Sequence, residues 1–266
     1  MEPLPLNALM PWLVFLVTTA IAIVGLVAYI RLGKQIWQTT HPSLQPYRWP
    51  DSLFCLILGI YFLTLVASSS ENRLLTLKDI QMGTVFYVLL DLIILSYLLL
   101  RHLHPIQLFG IQKLSGIRIL KMATFWLIAL YPLIFLVQIG VENIAGLDTP
   151  QPLVQFLIKN SHLSDRITVG LLAVIVAPLT EELIFRGYLY GVMRKYAGRL
   201  AAIFVSSCLF AAIHQHLAAF PGLFLLAVAL CLVYEATGCL LVSIVMHALF
   251  NLIGVLAAIF GSKIQF

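Results

Sequence analysis

The stretch "RITVGLLAVIVAPLTEELIFRGYLYG", residues 166–191, carries no charge from Ile167 to Thr180. It then places Glu181, Glu182 and Arg186 within a turn and a half of helix. An uncharged apolar run of this length reads as the body of a membrane-crossing helix, which needs ~20 residues to span a hydrocarbon core. Ionisable groups inside a bilayer cost about 2.5–3.5 kcal/mol each on insertion scales, so they are functional candidates by default. The bland alternative is a structural salt-bridge cluster at a helix end.

The rest of the chain fits the membrane reading. Of its 266 residues 61% are hydrophobic and 10% charged, against roughly 25% charged in soluble domains. The expected fold class is therefore all-α: a polytopic membrane protein of about eight transmembrane helices. Apolar segments fall near 8–30, 53–70, 83–100, 122–141, 167–185, 200–217, 220–236 and 239–260. The first lacks a preceding basic region and ends in Arg31 and Lys34, the reverse of a cleaved signal peptide, so it reads as a retained helix. Residues 142–165 form the longest polar insert, expected to be a loop with a short interfacial helix.

The net charge of +5 does not imply a nucleic-acid partner, because Lys and Arg sit singly between apolar segments. Membrane topology accounts for them. An external N-terminus puts Arg31, Lys34, Arg48, Arg101, Lys113, Arg118, Lys121, Arg194, Lys195 and Arg199 in the cytoplasm. Arg73, Lys78, Lys159, Arg166 and Lys263 are then external. Ten against five favours that orientation, with both termini outside. The four cysteines lack metal-ligand spacing and read as small buried hydrophobes.

Three patterns at helical spacing stand out. Glu182 and Arg186 share a helix face, with Glu first, the favourable order for an ion pair. Glu181 is rotated about 100° away and is left free. Phe210 and His214 share a second face, and His247 and Asn251 a third, where imidazole and carboxamide can both donate into one cavity. A lone membrane histidine or asparagine is more often interhelical glue. Together they supply a carboxylate, a histidine and a donor pair, the parts needed to activate water and stabilise an oxyanion. Asp91 is expected to hydrogen-bond a neighbouring helix, and Glu235 to be solvated at a helix end. Gly187 and Gly191 read as a close helix-packing motif. No HExxH zinc helix, GxSG serine loop or pair of membrane aspartates is present.

"EELIFRG", "FAAIH" and "HALFN" resemble, in order, the EExxxR, FxxxH and HxxxN motifs of the CPBP intramembrane proteases, which include CAAX-prenyl and bacteriocin-processing enzymes. The resemblance covers about residues 118–260. It divides the chain into a protease domain at 118–266 and N-terminal transmembrane helices at 1–117 of unassigned role. It implies that Glu181 activates the water and His214 assists, that His247 and Asn251 form the oxyanion hole, and that Glu182, Arg186 and Phe210 support the site. The implied activity is a glutamate-type endopeptidase cutting a membrane-associated peptide or protein, prenylated CAAX-like or leader-bearing. The partners are that substrate and the lipid bilayer, in a plasma (inner) membrane with the cavity opening toward the cytoplasm.

Two other classes compete. A scaffold or immunity protein could keep the fold without catalysis, and a small transporter could use the same charges as a relay, although no inverted repeat supports it. No cofactor is expected. Glu181, His214 and His247 could instead ligate a divalent metal such as zinc, but Glu182, the carboxylate that would steady a histidine ligand, is assigned to Arg186.

Overall fold

The computed structural model describes residues 6–38, 46–68, 75–146, 150–160 and 162–261. Arg73, Lys263, the last two residues of the second expected span and parts of the polar insert lie outside them. The described residues fold into α1 (Leu6–Gln38), α2 (Trp49–Ala67), α3 (Leu77–Leu100), α4 (Pro105–Leu108), α5 (Gly116–Ala145), α6 (Pro152–Lys159), α7 (Leu163–Leu171), α8 (Ala177–Glu182), α9 (Gly191–Ala212), α10 (Phe220–Thr237) and α11 (Leu240–Gly261). Two π-helical turns, Leu172–Val176 and Leu183–Tyr190, join α7, α8 and α9 into one continuous run. No strand occurs among the described residues.

Helix starts follow local chemistry. Pro50, Pro152 and Pro221 occupy first turns, where a missing N–H costs nothing. Thr76 and Asp79 close a reciprocal capping box on α3.

Seven helices are long and apolar enough to cross a membrane, one of them the 50-residue run Leu163–Ala212. A straight helix of that length would be about 75 Å long, far more than a bilayer core. It turns back at Gly198, whose φ of 82° and ψ of 171° leave the helical region and suit a residue without a Cβ. Ser206 Oγ consequently reaches Phe185 O at 3.4 Å, and the Phe185 and Phe210 rings meet at 5.4 Å. That run is therefore two segments folded back on each other, so the described residues offer eight candidate crossings.

The helices pack into two apolar cores. One joins α2, α3, the π-turn at Leu183–Tyr190, α9 and α10; the other joins α1, α5, α10 and α11. α1 and α5 approach so closely at Gly25 that a Cβ there would lie 1.9 Å from Ala129 O. Large apolar side chains such as Leu16, Val24, Leu99 and Phe204 remain exposed on the outside, as a lipid-facing surface requires.

The two ends of the bundle differ. One gathers the α1–α2, α3–α5, Gly198 and α10–α11 connections. There Lys195 donates to Tyr47 O, Arg199 Nη1 to Ile36 O at 2.7 Å, and Leu240 N to Phe109 O at 2.9 Å. Glu235, expected to be solvated, is ion-paired with Arg194 and Arg199 and accepts from Tyr190 OH at 2.5 Å. The other end carries Leu75, α6 and residues 213–219. Gln215 Nε2 there donates to Leu65 O at 2.8 Å.

Two smaller expectations change. Asp91 is buried in α3, yet its Oδ1 makes no hydrogen bond. Gly187 and Gly191 receive aromatic rings rather than a helix backbone: a Cβ would meet Phe109 at 3.0 Å and Tyr47 at 2.6 Å. Tyr47 OH also donates to Gly187 O at 2.7 Å.

Candidate active site

Glu181 and Glu182 end α8 at the entrance to a π-helical turn, a helix irregularity frequent at functional sites. The turn keeps Glu182 and Arg186 in contact, with Arg186 Nη1 donating to Glu182 Oε1 at 2.7 Å. Both side chains are fully buried. Arg186 Nη2 also donates to Ala227 O on α10 at 3.3 Å, and its guanidinium lies 4.4 Å from the Phe210 ring centroid. The aromatic face thus shares the cation with the carboxylate.

His247 on α11 reaches the same carboxylate. Its Nδ1 stands 3.0 Å from Glu182 Oε1, while its Nε2 lies 3.8 Å from Glu181 Oε2. Donation from Nδ1 to Glu182 orients the ring and turns Nε2 toward Glu181. Sequence spacing assigned Glu182 to Arg186 alone; the fold gives it a second partner. That removes the argument that no carboxylate is available to steady a histidine. Among the described residues, however, no group of three His, Cys, Asp or Glu side chains is arranged to hold a metal ion.

His214 follows α9. Its Nδ1 is 2.7 Å from Phe210 O, and a proton donated there leaves Nε2 with a lone pair. Phe210 packs against both imidazoles, 4.9 Å from His214 and 5.6 Å from His247 between ring centroids. It therefore touches Arg186, His214 and His247 at once. His216 lies elsewhere. It accepts from Ala219 N and meets the backbone of Pro150, and burial holds its pKa below the ordinary imidazole value.

Asn251 has a partner that spacing does not reveal. Its Nδ2 donates to Ala173 O at 2.8 Å. In the π-turn Ala177 N bonds Leu172 O, so the matching bond to Ala173 O falls to residue 178. That residue is a proline and has no N–H. Asn251 fills the gap, and its second amide proton remains for the cavity. Sequence alone does not reveal this: in an ordinary α-helix Pro178 would free the carbonyl four residues back, at Val174, and only the π-turn shifts the gap to Ala173.

Glu181, His214, His247 and Asn251 all line one cavity of about 310 Å³. Its walls are Leu153, Val154 and Leu157 of α6, together with Leu75, Leu223 and Val255. α6 and Gln151 as cavity lining were not legible in the sequence, because an eight-residue helix at a membrane surface carries no catalytic motif. Glu181 keeps 13% side-chain exposure here while Glu182 has none. One carboxylate faces the cavity and its neighbour is sealed beneath it.

Residues 163–253 match a family model described as type II CAAX prenyl endopeptidase Rce1-like. That segment is similar to this family over about a third of the chain. All three motifs fall inside it, and the family is one of intramembrane endopeptidases. No curated protein and no solved structure matches the chain. The matched segment lies in a chain whose described residues include seven helices long and apolar enough to cross a membrane.

Proposed function

We propose that the protein is an intramembrane endopeptidase that cleaves a membrane-associated peptide or protein with a water activated by Glu181. The observation that carries this is the convergence of Glu181 from α8, His214 from the turn after α9, and His247 and Asn251 from α11 on one cavity of about 310 Å³. Glu181 takes a proton from water as the oxygen attacks the scissile carbonyl, His214 Nε2 assists the transfer, and the proton passes to the leaving nitrogen as the C–N bond breaks. His247 Nε2 and the second amide proton of Asn251 bind the developing oxyanion. For that donation His247 carries both ring protons, and Glu182 stabilises the resulting imidazolium. Glu182, Arg186 and Phe210 hold the donors in place. A divalent metal held by Glu181, His214 and His247 is the competing chemistry, with the same residues in other roles.

The scaffold reading predicts different cell biology. Peptides in membranes of cells lacking the protein are compared with those complemented by the parent or by Glu181→Gln. A protease leaves the same uncleaved precursors in the deletion and in the Glu181→Gln strain. A scaffold gives complementation by both.

A further inference from the structure

Two expectations drawn from the sequence cannot hold together in this fold. Charge asymmetry places the basic end in the cytoplasm, while the cavity was expected to open there as well. The cavity instead reaches Leu75, Gln151, α6 and His214, which follow α2, precede α7 and follow α9. In a chain of alternating crossings these segments share an end. That end is opposite the one holding Arg101, Lys113, Arg194, Lys195 and Arg199.

We infer that the cavity opens on the non-cytoplasmic side of the membrane, and, resting on the endopeptidase reading, that its substrates are peptide segments presented from that side. Topology follows the Lys and Arg count near helix ends, with Asp and Glu contributing little. Ten basic residues flank the far end. Among the described residues the cavity end has Lys78, Lys159 and Arg166. Even with Arg73 and Lys263 added by sequence order, the cavity end has half as many. The basic end also exposes Trp37, Trp49 and Tyr196, aromatic side chains suited to a membrane–water boundary. It is pinned by the Glu235 ion pairs and the Tyr47 and Ile36 carbonyl bonds. A peptide confined to the cytoplasm meets this braced end, whereas a segment already carried across the membrane meets α6 and the cavity. A substrate whose cleavage site stays cytoplasmic is thereby excluded.

Cysteine accessibility reads the orientation without reference to activity. Ser164→Cys marks the cavity end and Ser115→Cys the basic end. Both serines are exposed and both replacements are near-isosteric. Leu217→Cys and Gln112→Cys, also at exposed positions, duplicate each side. The background is Cys208→Ala, because Cys55, Cys231 and Cys239 are buried. A membrane-impermeant maleimide added to intact cells should label residues 164 and 217, and should label 115 and 112 only after permeabilisation. The reverse pattern, or labelling of both ends in intact cells, overturns the proposal. A quenched-fluorescent peptide library offered to parent and Glu181→Gln protein in detergent tests the endopeptidase reading separately, since both faces are then open. Cleavage there combined with reversed labelling sinks the orientation alone.

Discussion

His247 Nδ1 and Arg186 Nη1 bind the same oxygen, Glu182 Oε1, at 3.0 and 2.7 Å. A carboxylate that reads in sequence as half of an ion pair is thus a junction between α8, the following π-turn and α11. The imidazole carried by α11 is aimed by a group 65 residues earlier in the chain.

Losing that junction should harm folding and turnover together. Glu182→Gln leaves the buried Arg186 without its counter-charge, and Arg186→Ala strands Glu182. Breaking a buried pair costs about 3–5 kcal/mol. Both variants should melt at clearly lower temperature in detergent and cleave poorly. Parental melting temperatures in both would refute the junction.

Asn251 should show two separable effects. Asn251→Ala removes the proposed oxyanion donor, expected to cost about 10²–10³-fold in rate. It also strands the Ala173 carbonyl, expected to cost about 1–3 kcal/mol. Pro178→Ala restores an N–H that can take over that carbonyl. In a double-mutant cycle the stability loss of Asn251→Ala should therefore shrink in the Pro178→Ala background, while the rate loss remains. Strict additivity of the stability changes would show that Pro178 does not create the gap.

How much of this was readable in the chain depends on where each signal lives. The apolar spans are local, written in runs of apolar residues, and seven helices long enough to cross appear among the described residues, one of them folded back at Gly198. Glu182 and Arg186 were legible because helical periodicity alone brings them together. His247 on Glu182, Asn251 on Ala173 and Glu235 on Arg194 were not, since each joins elements whose relative placement only tertiary packing decides. The end of the bundle to which the cavity belongs was not legible for a related reason. The end to which the motif residues belong depends on α6 and residues 213–219, whose placement against the cavity only tertiary packing decides.

Phe210 offers a test of positioning rather than chemistry. Phe210→Leu keeps an apolar side chain but removes the ring over Arg186 and between the two histidines. Turnover number should fall while the Michaelis constant changes little, and Phe210→Tyr should recover part of the loss. An unchanged turnover number in Phe210→Leu would remove the ring from the account.

Metal dependence separates the two chemistries available to the same residues. Under the water-activation reading, exhaustively chelated enzyme retains its cleavage rate. Loss of activity on chelation, restored by zinc or cobalt, would recast Glu181, His214 and His247 as ligands.

The most direct measurement is the cleavage rate of purified Glu181→Gln protein. The substitution keeps the size and hydrogen-bonding capacity of the side chain and removes its ability to accept a proton from water. General-base catalysis contributes roughly 10²–10⁴-fold. The rate should therefore drop by at least about 10²-fold while melting temperature and membrane insertion match the parent. Full cleavage by Glu181→Gln protein would contradict the assignment of Glu181 as the group that activates water.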